Sequence, residues 1–179
     1  LAVAGTLGQA ACGLELLASG NTDAVNAWDE WVSVQRRPQP PLALGIAAAE
    51  AGATSMLDIS DGLAKDASRI AKASAVTLEI QAAALFGFEA RLEGAAQSLS
   101  LANPHLIEMG EPNLAAEQYC RKWVLTGGED HSLLATFPAD AVLPRGFKRI
   151  GVVLESQADR PLLLDGVPIS PGGWDSVTG

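Results

Sequence analysis

Cysteine is scarce in this chain of 179 residues: Cys12 and Cys120 are the two present, and they stand in no paired spacing. They offer no support for a disulfide framework or a zinc motif, so the expectation is a reducing cytoplasm with both thiols buried as small apolar groups. Long apolar runs are also missing. Although 48% of the residues are hydrophobic, they are spread evenly, and no stretch approaches the roughly eighteen residues of a membrane-crossing helix. A soluble globular chain is expected. Basic residues are few, with 12 Lys and Arg against 21 Asp and Glu and a net charge of −9. Without a basic face, DNA and anionic membranes are poor partners, while small phosphates bridged by metal ions remain open. There is no internal repeat and no low-complexity tract. Leu1 to Ala4 reads as a strand already under way, with no Met and no leader before it. The expectation is an excised piece of a longer chain, large enough for one well-cored domain.

What is present reads as alternating elements. Leu1 to Ala4 and Gly5-Thr-Leu-Gly8 form a strand and a tight turn, and helical spacing follows from Gln9 to Ala18. A second helix starts at Asn21 or Thr22 and runs through Trp28 and Trp31 to Arg37, where Pro38, Pro40 and Pro41 stop it. A helix from Leu42 to Ala51 precedes a strand that enters Asp58-Ile-Ser-Asp-Gly62, after which Leu63, Ala67, Ile70 and Ala71 share one helical face. Val76 to Ile80 is a strand, Glu89 to Leu101 a helix, 103 to 112 a loop, and Asn113 to Lys122 a further helix. Strands at Ser132 to Phe137, Arg149 to Leu154 and Leu162 to Leu164 complete the set. Helices first and strands later suit a layered α/β sandwich with a mixed sheet.

Two places carry chemistry. Asp58-Ile-Ser-Asp-Gly62 sets two carboxylates and a hydroxyl at a strand end, and Gly62 permits an unusual backbone angle. Mg²⁺ is commonly held by one or two carboxylates plus phosphate oxygens and water, and the helix N-terminus that follows welcomes an anion beside Ser60. On spacing alone, the commoner meaning of such a cluster is a capped helix beside a solvated strand end. Leu125-Thr-Gly-Gly-Glu-Asp130 places paired glycines before two acids. By itself, that is most often a tight turn.

The run Met56-Leu-Asp-Ile-Ser-Asp-Gly-Leu63, with Asp66 and Ile70-Ala-Lys-Ala-Ser74 behind it, resembles the signature of thiamine-monophosphate kinases, in the superfamily of aminoimidazole ribonucleotide synthetase. TGGEDHSLL is similar to the GGEDYELL element of the same family, Gly5-Thr-Leu-Gly8 to its TGTLG segment, and Pro171-Gly-Gly-Trp-Asp175 to its closing motif. The motifs fall in family order from Gly5 to Trp174. Ser176-Val177 stands in place of the family's His-Phe, and His131 in place of a Tyr.

The resemblance implies the C-terminal domain of an enzyme that uses ATP and Mg²⁺ to convert thiamine monophosphate to thiamine diphosphate, with no covalent intermediate. Asp58 and Asp61 would hold Mg²⁺, Ser60 would touch an ATP phosphate, Glu129 would contact thiamine, and Trp174 would pack on its rings. Asp130 would fix the turn, and His131 would have no catalytic role. Residues 1 to 179 would form one domain, with 155 to 179 an extension near the substrate site. Most nucleotide contacts and the homodimer interface would belong to an N-terminal domain, so this chain alone would be inactive. Two alternatives are a sister enzyme, of the selenophosphate synthetase or amidine cyclo-ligase type, and a non-catalytic binding module of the same fold.

Overall fold

Glycine and proline punctuate the chain, and apolar spacing decides what forms between them. The computed structural model describes residues 1–101, 112–157, 159–170 and 172. In chain order these hold β1 (Ala2–Ala4), α1 (Gln9–Ala18), α2 (Thr22–Ala27), α3 (Asp29–Arg36), α4 (Leu42–Glu50), β2 (Ser55–Ile59) and α5 (Leu63–Ala73). There follow β3 (Val76–Ile80), α6 (Ala82–Glu89), α7 (Glu93–Leu101), α8 (Pro112–Thr126), β4 (Ser132–Thr136), β5 (Phe147–Arg149), β6 (Gly151–Glu155), β7 (Leu162–Leu164) and β8 (Val167–Pro168). Trp174 and positions 103–111 of the loop expected across 103–112 lie outside the described residues, and Pro112 begins α8.

The layered α/β arrangement is present, with its strands divided between two four-stranded sheets. One has the order β2-β4-β1-β5 and is antiparallel throughout. The other, β6-β3-β7-β8, is mixed, because β3 and β7 run parallel. Every residue of β4 is buried. Leu134 faces the main core with Val3, while Leu133 and Ala135 face a second cluster with Ala2, Ala4, Phe147 and Ala48 of α4. A strand covered on both faces keeps no polar alternation, which is why Ser-Leu-Leu-Ala-Thr reads as a continuous run.

Helix α5 joins the two sheets. Its Leu63, Ala64, Ala67, Ile70 and Ala71 are buried on one stripe, and it packs against both β2 and β3. Fully buried side chains such as Leu63 and Ile59 each contribute about 1.5–3 kcal/mol relative to exposure. The DISDG turn is therefore held between a core strand and a core helix.

Three sequence expectations are corrected by tertiary packing. The helix expected through Trp28 to Arg37 breaks at Trp28, whose φ of −122° and ψ of 35° separate α2 from α3. The Trp28 indole N–H donates to Ser98 Oγ at 3.0 Å, and its ring lies against Gly94 of α7. Anchoring that ring outweighs continuous helical hydrogen bonding. The strand expected over Arg149 to Leu154 is two strands in different sheets. Buried Ile150 hands the chain across, donating its N–H to Leu1 O at 3.0 Å and accepting from Gln81 N–H at 2.9 Å. The helix expected from Glu89 starts at Glu93, and the apolar stretch before it forms α6, anchored by buried Leu85 and Phe88.

Candidate functional site

The antiparallel register brings three loops to one end of the first sheet. Leu133 stands opposite Ala4 on one side and Asp58 on the other, so the C-terminal ends of β1 and β2 meet the start of β4. The loops at residues 5–8, 60–62 and 127–131 are thus neighbours. Two backbone bonds join the acidic motifs directly: Glu129 N–H donates to Ser60 O at 2.9 Å, and His131 N–H donates to Ile59 O at 3.0 Å. Glu129 and His131 have φ of 70° and 50°, in the left-handed region that side chains with a Cβ avoid. Such strain persists where surrounding bonds hold it, and it concentrates at functional sites.

Asp130, between them, points inward and is 3% exposed. Its carboxylate accepts from Gly8 N–H at 2.7 Å, Thr6 Oγ–H at 3.0 Å, Gln9 N–H at 3.2 Å and Ala10 N–H at 3.4 Å. Gly8, the N-cap of α1, has no side chain to cap with, so Asp130 caps that helix from 120 residues away. Burial pushes its carboxyl above the usual range, and the four donors pull it partway back. The turn it holds is the distant one at residues 5–8, where the expectation was its own glycine turn.

Asp58 and Glu129 both point to the surface and are joined by His131. Its Nδ1 lies 3.1 Å from Asp58 Oδ2, and its Nε2 lies 3.4 Å from Glu129 Oε2. The bond to Asp58 raises the His131 pKa, partial burial opposes it, and the Glu129 charge adds to the rise. Sequence reasoning gave His131 no role. What places it is the backbone ahead of β4: the bonds from Glu129 N–H to Ser60 O and from His131 N–H to Ile59 O set this segment beside β2, with the His131 ring against Asp58 and Glu129.

Asp61 is differently placed. Its carboxylate pairs with Lys65 at 3.2 Å and with Arg69, and Arg69 also reaches the buried Asp66. Burial would raise the Asp61 pKa, but the Arg69 and Lys65 bonds outweigh it and hold the carboxyl below the usual range. Asp66 Oδ2 accepts the Asp61 N–H at 2.9 Å, which fixes the turn. Gly62 has φ of 112°, and a Cβ there would stand 2.7 Å from Thr126 O, so the close approach of α8 requires glycine.

A cleft of about 360 Å³ opens beside these loops, walled by Ala10, Leu14, Trp123, Thr126 and Gly128, with Glu129 at its rim. Among the described residues, no group of three or more His, Cys, Asp and Glu could hold a metal ion. Asp58 is paired with His131 and Asp61 with Lys65 and Arg69, so the two carboxylates expected to share an ion have separate partners.

No protein-family model matches the chain. The thiamine-monophosphate kinase of Mycobacterium tuberculosis is 38% identical over 180 residues, covering 98% of this chain and 46% of that protein. That of Corynebacterium glutamicum is 31% identical over 174 residues, covering 96% and 46%. The crystal structure of thiamine monophosphate kinase from Aquifex aeolicus superimposes with a TM-score of 0.66 at 25% identity, over 94% of this chain and 50% of that one. AaThiL complexed with AMPPCP and TMP has a TM-score of 0.66 at 28% identity, over 98% and 50%. This chain spans about half the length of the curated relatives it matches. Along nearly its whole length, and with a shared fold, the chain is similar to about half of a thiamine-monophosphate kinase.

Proposed function

We propose that the chain is the C-terminal part of a cytoplasmic enzyme that transfers the γ-phosphoryl group of ATP to thiamine monophosphate, giving thiamine diphosphate. The observation that carries this reading is the backbone lock between the two acidic motifs, Glu129 N–H to Ser60 O and His131 N–H to Ile59 O. It holds the segments carrying Asp58, Asp61 and Glu129 at one end of one sheet, which supports reading them as parts of one site. The complex of a structural neighbour with AMPPCP and TMP supports the choice of ligands. In this reading an N-terminal domain supplies most nucleotide contacts and the dimer interface.

Asp58 and Asp61 are the residues that would hold Mg²⁺, which when bound would neutralise charge on the phosphates. Asp58 is 55% exposed and reaches solvent directly. Asp61 is paired with Lys65 and Arg69, and it would add a second carboxylate to such an ion's shell. Helix α5 carries no side-chain cap, so its first N–H groups and Ser60 receive an ATP phosphate oxygen. Glu129 accepts from the amino group of the thiamine ring at the rim of the cleft. The family resemblance implies that Trp174, which lies outside the described residues, would pack on that ring. Phosphoryl transfer asks for positioning and charge neutralisation, so no nucleophilic side chain is needed.

The test is a kinase assay on the protein carrying this chain together with the remaining half of the kinase, with thiamine diphosphate quantified. Asp58→Asn is expected to reduce turnover about a hundredfold, the size of effect that losing one fixed electrostatic group has in other enzymes. Unchanged turnover in that variant would leave a non-catalytic binding module as the better description. The 179-residue chain alone is expected to form no thiamine diphosphate.

A further inference from the structure

The residues assigned so far leave one requirement unmet. Asp58, Asp61, Asp66, Glu129 and Asp130 crowd one end of the sheet, and Lys65 and Arg69 are already held by Asp61 and Asp66. A phosphate approaching that acidic field needs fixed positive donors of its own.

Such donors stand on the far side of the turn at residues 5–8. A cleft of about 620 Å³ is lined by Thr6, Ser33, Val34, Arg36, Arg37 and Gln39. Neither the Arg36 nor the Arg37 guanidinium joins an ion pair or hydrogen bond among the described residues. The cleft is coupled to the carboxylates through the sheet. Thr6 N–H donates to Ser132 Oγ at 2.6 Å, and Ser132 follows His131 and stands opposite Ile59. The Thr6 hydroxyl is committed to Asp130, which leaves the Ser33 hydroxyl and the Gln39 amide as additional donors. Pro38 keeps Arg37 out of the helical region, at φ −146° and ψ 75°, so part of the cost of ordering this segment is met before any ligand arrives.

We propose that this cleft is an anion site that takes a phosphate ester through Arg36 and Arg37, delivering it to the carboxylate end of the sheet. The kinase reading supplies the reason a phosphate should arrive there; the cleft itself stands on geometry and charge. Two planar guanidinium forks match phosphate oxygens better than scattered lysines do.

The 179-residue chain is titrated calorimetrically at low ionic strength with inorganic pyrophosphate. The expectation is saturable binding that weakens with salt and falls at least about tenfold in Arg36→Gln/Arg37→Gln, as loss of charge-assisted hydrogen bonds requires. Arg36→Lys/Arg37→Lys keeps the charge and recovers part of the affinity. Competition identifies the source: whichever of ATP and thiamine monophosphate displaces pyrophosphate at lower concentration supplies the phosphate. Displacement by neither, equal displacement by phosphate-free thiamine, or unchanged affinity in the glutamine variant overturns the proposal. Pyrophosphate binding by the chain, with no turnover even when it is joined to the remaining half of the kinase, leaves the cleft standing and removes the kinase reading. Turnover with unaltered KM values in the glutamine variant does the reverse.

Discussion

Asp130 is the residue whose removal should cost the fold most for its size. Asp130→Ala strands Gly8 N–H, Thr6 Oγ–H and Gln9 N–H, which now reach it at 2.7, 3.0 and 3.2 Å; the 3.4 Å contact from Ala10 is too long to count fully. Each stranded buried donor costs about 1–3 kcal/mol, and loss of a helix cap alone about 1–2 kcal/mol. Burying the carboxylate is itself unfavourable, so relief of that cost discounts the sum to about 3–4 kcal/mol. Against a typical total of about 5–15 kcal/mol, that is a large fraction. In urea, with a slope of about 2 kcal/mol/M, the midpoint should fall by about 2 M. Asp130→Asn keeps one acceptor oxygen but sets its NH₂ against a backbone donor, so a smaller loss of about 2 kcal/mol is expected. Hydrogen exchange at Gln9 and Ala10 should accelerate in both variants. A loss under about 0.5 kcal/mol in the alanine variant, or an asparagine variant weaker than alanine, would refute the trans-capping account.

Three further outcomes are expected. Gly62→Ala places a Cβ 2.7 Å from Thr126 O at a φ of 112°, so thermal unfolding should show a loss of about 2–3 kcal/mol; an unchanged melting temperature would mean that α8 gives way easily. His131 binds its proton more tightly folded than unfolded, so its contribution is full below its ordinary value of 6.5 and fades as pH rises through the higher folded value. Stability of the unaltered chain measured at about pH 6 and about pH 9 should therefore lose a part, about 1 kcal/mol or less for so exposed a group, that His131→Gln lacks at both; identical pH dependence in the two chains would contradict it. Burial pushes the Cys120 thiol up to about 11 and the Cys12 thiol higher still. Both should resist iodoacetamide near pH 8 until urea unfolds the chain, and rapid alkylation of the folded form would show the burial to be wrong.

Local pattern carried much of this molecule. Apolar spacing and the glycine and proline breaks between elements placed α1, α4, β3, β4 and β7 to within a residue or two. Asn21 was legible as a cap for the same kind of reason: its Oδ1 meets Ala24 N–H at 3.1 Å, a contact within four residues. The two acidic motifs and their order were likewise local, and they pointed to the family before any coordinates did.

What only the tertiary structure decided depends on partners distant in the chain. The break at Trp28 follows from a bond to Ser98, and the division of one expected strand at Ile150 follows from Leu1 and Gln81. The inward turn of Asp130 follows from the N-terminus of α1, and the placing of His131 between Asp58 and Glu129 follows from the pairing of β2 with β4. Residue spacing encodes which face a side chain takes on its own element. Which other element lies against that face is set by packing between residues far apart in the chain, and that carries no local periodicity to read.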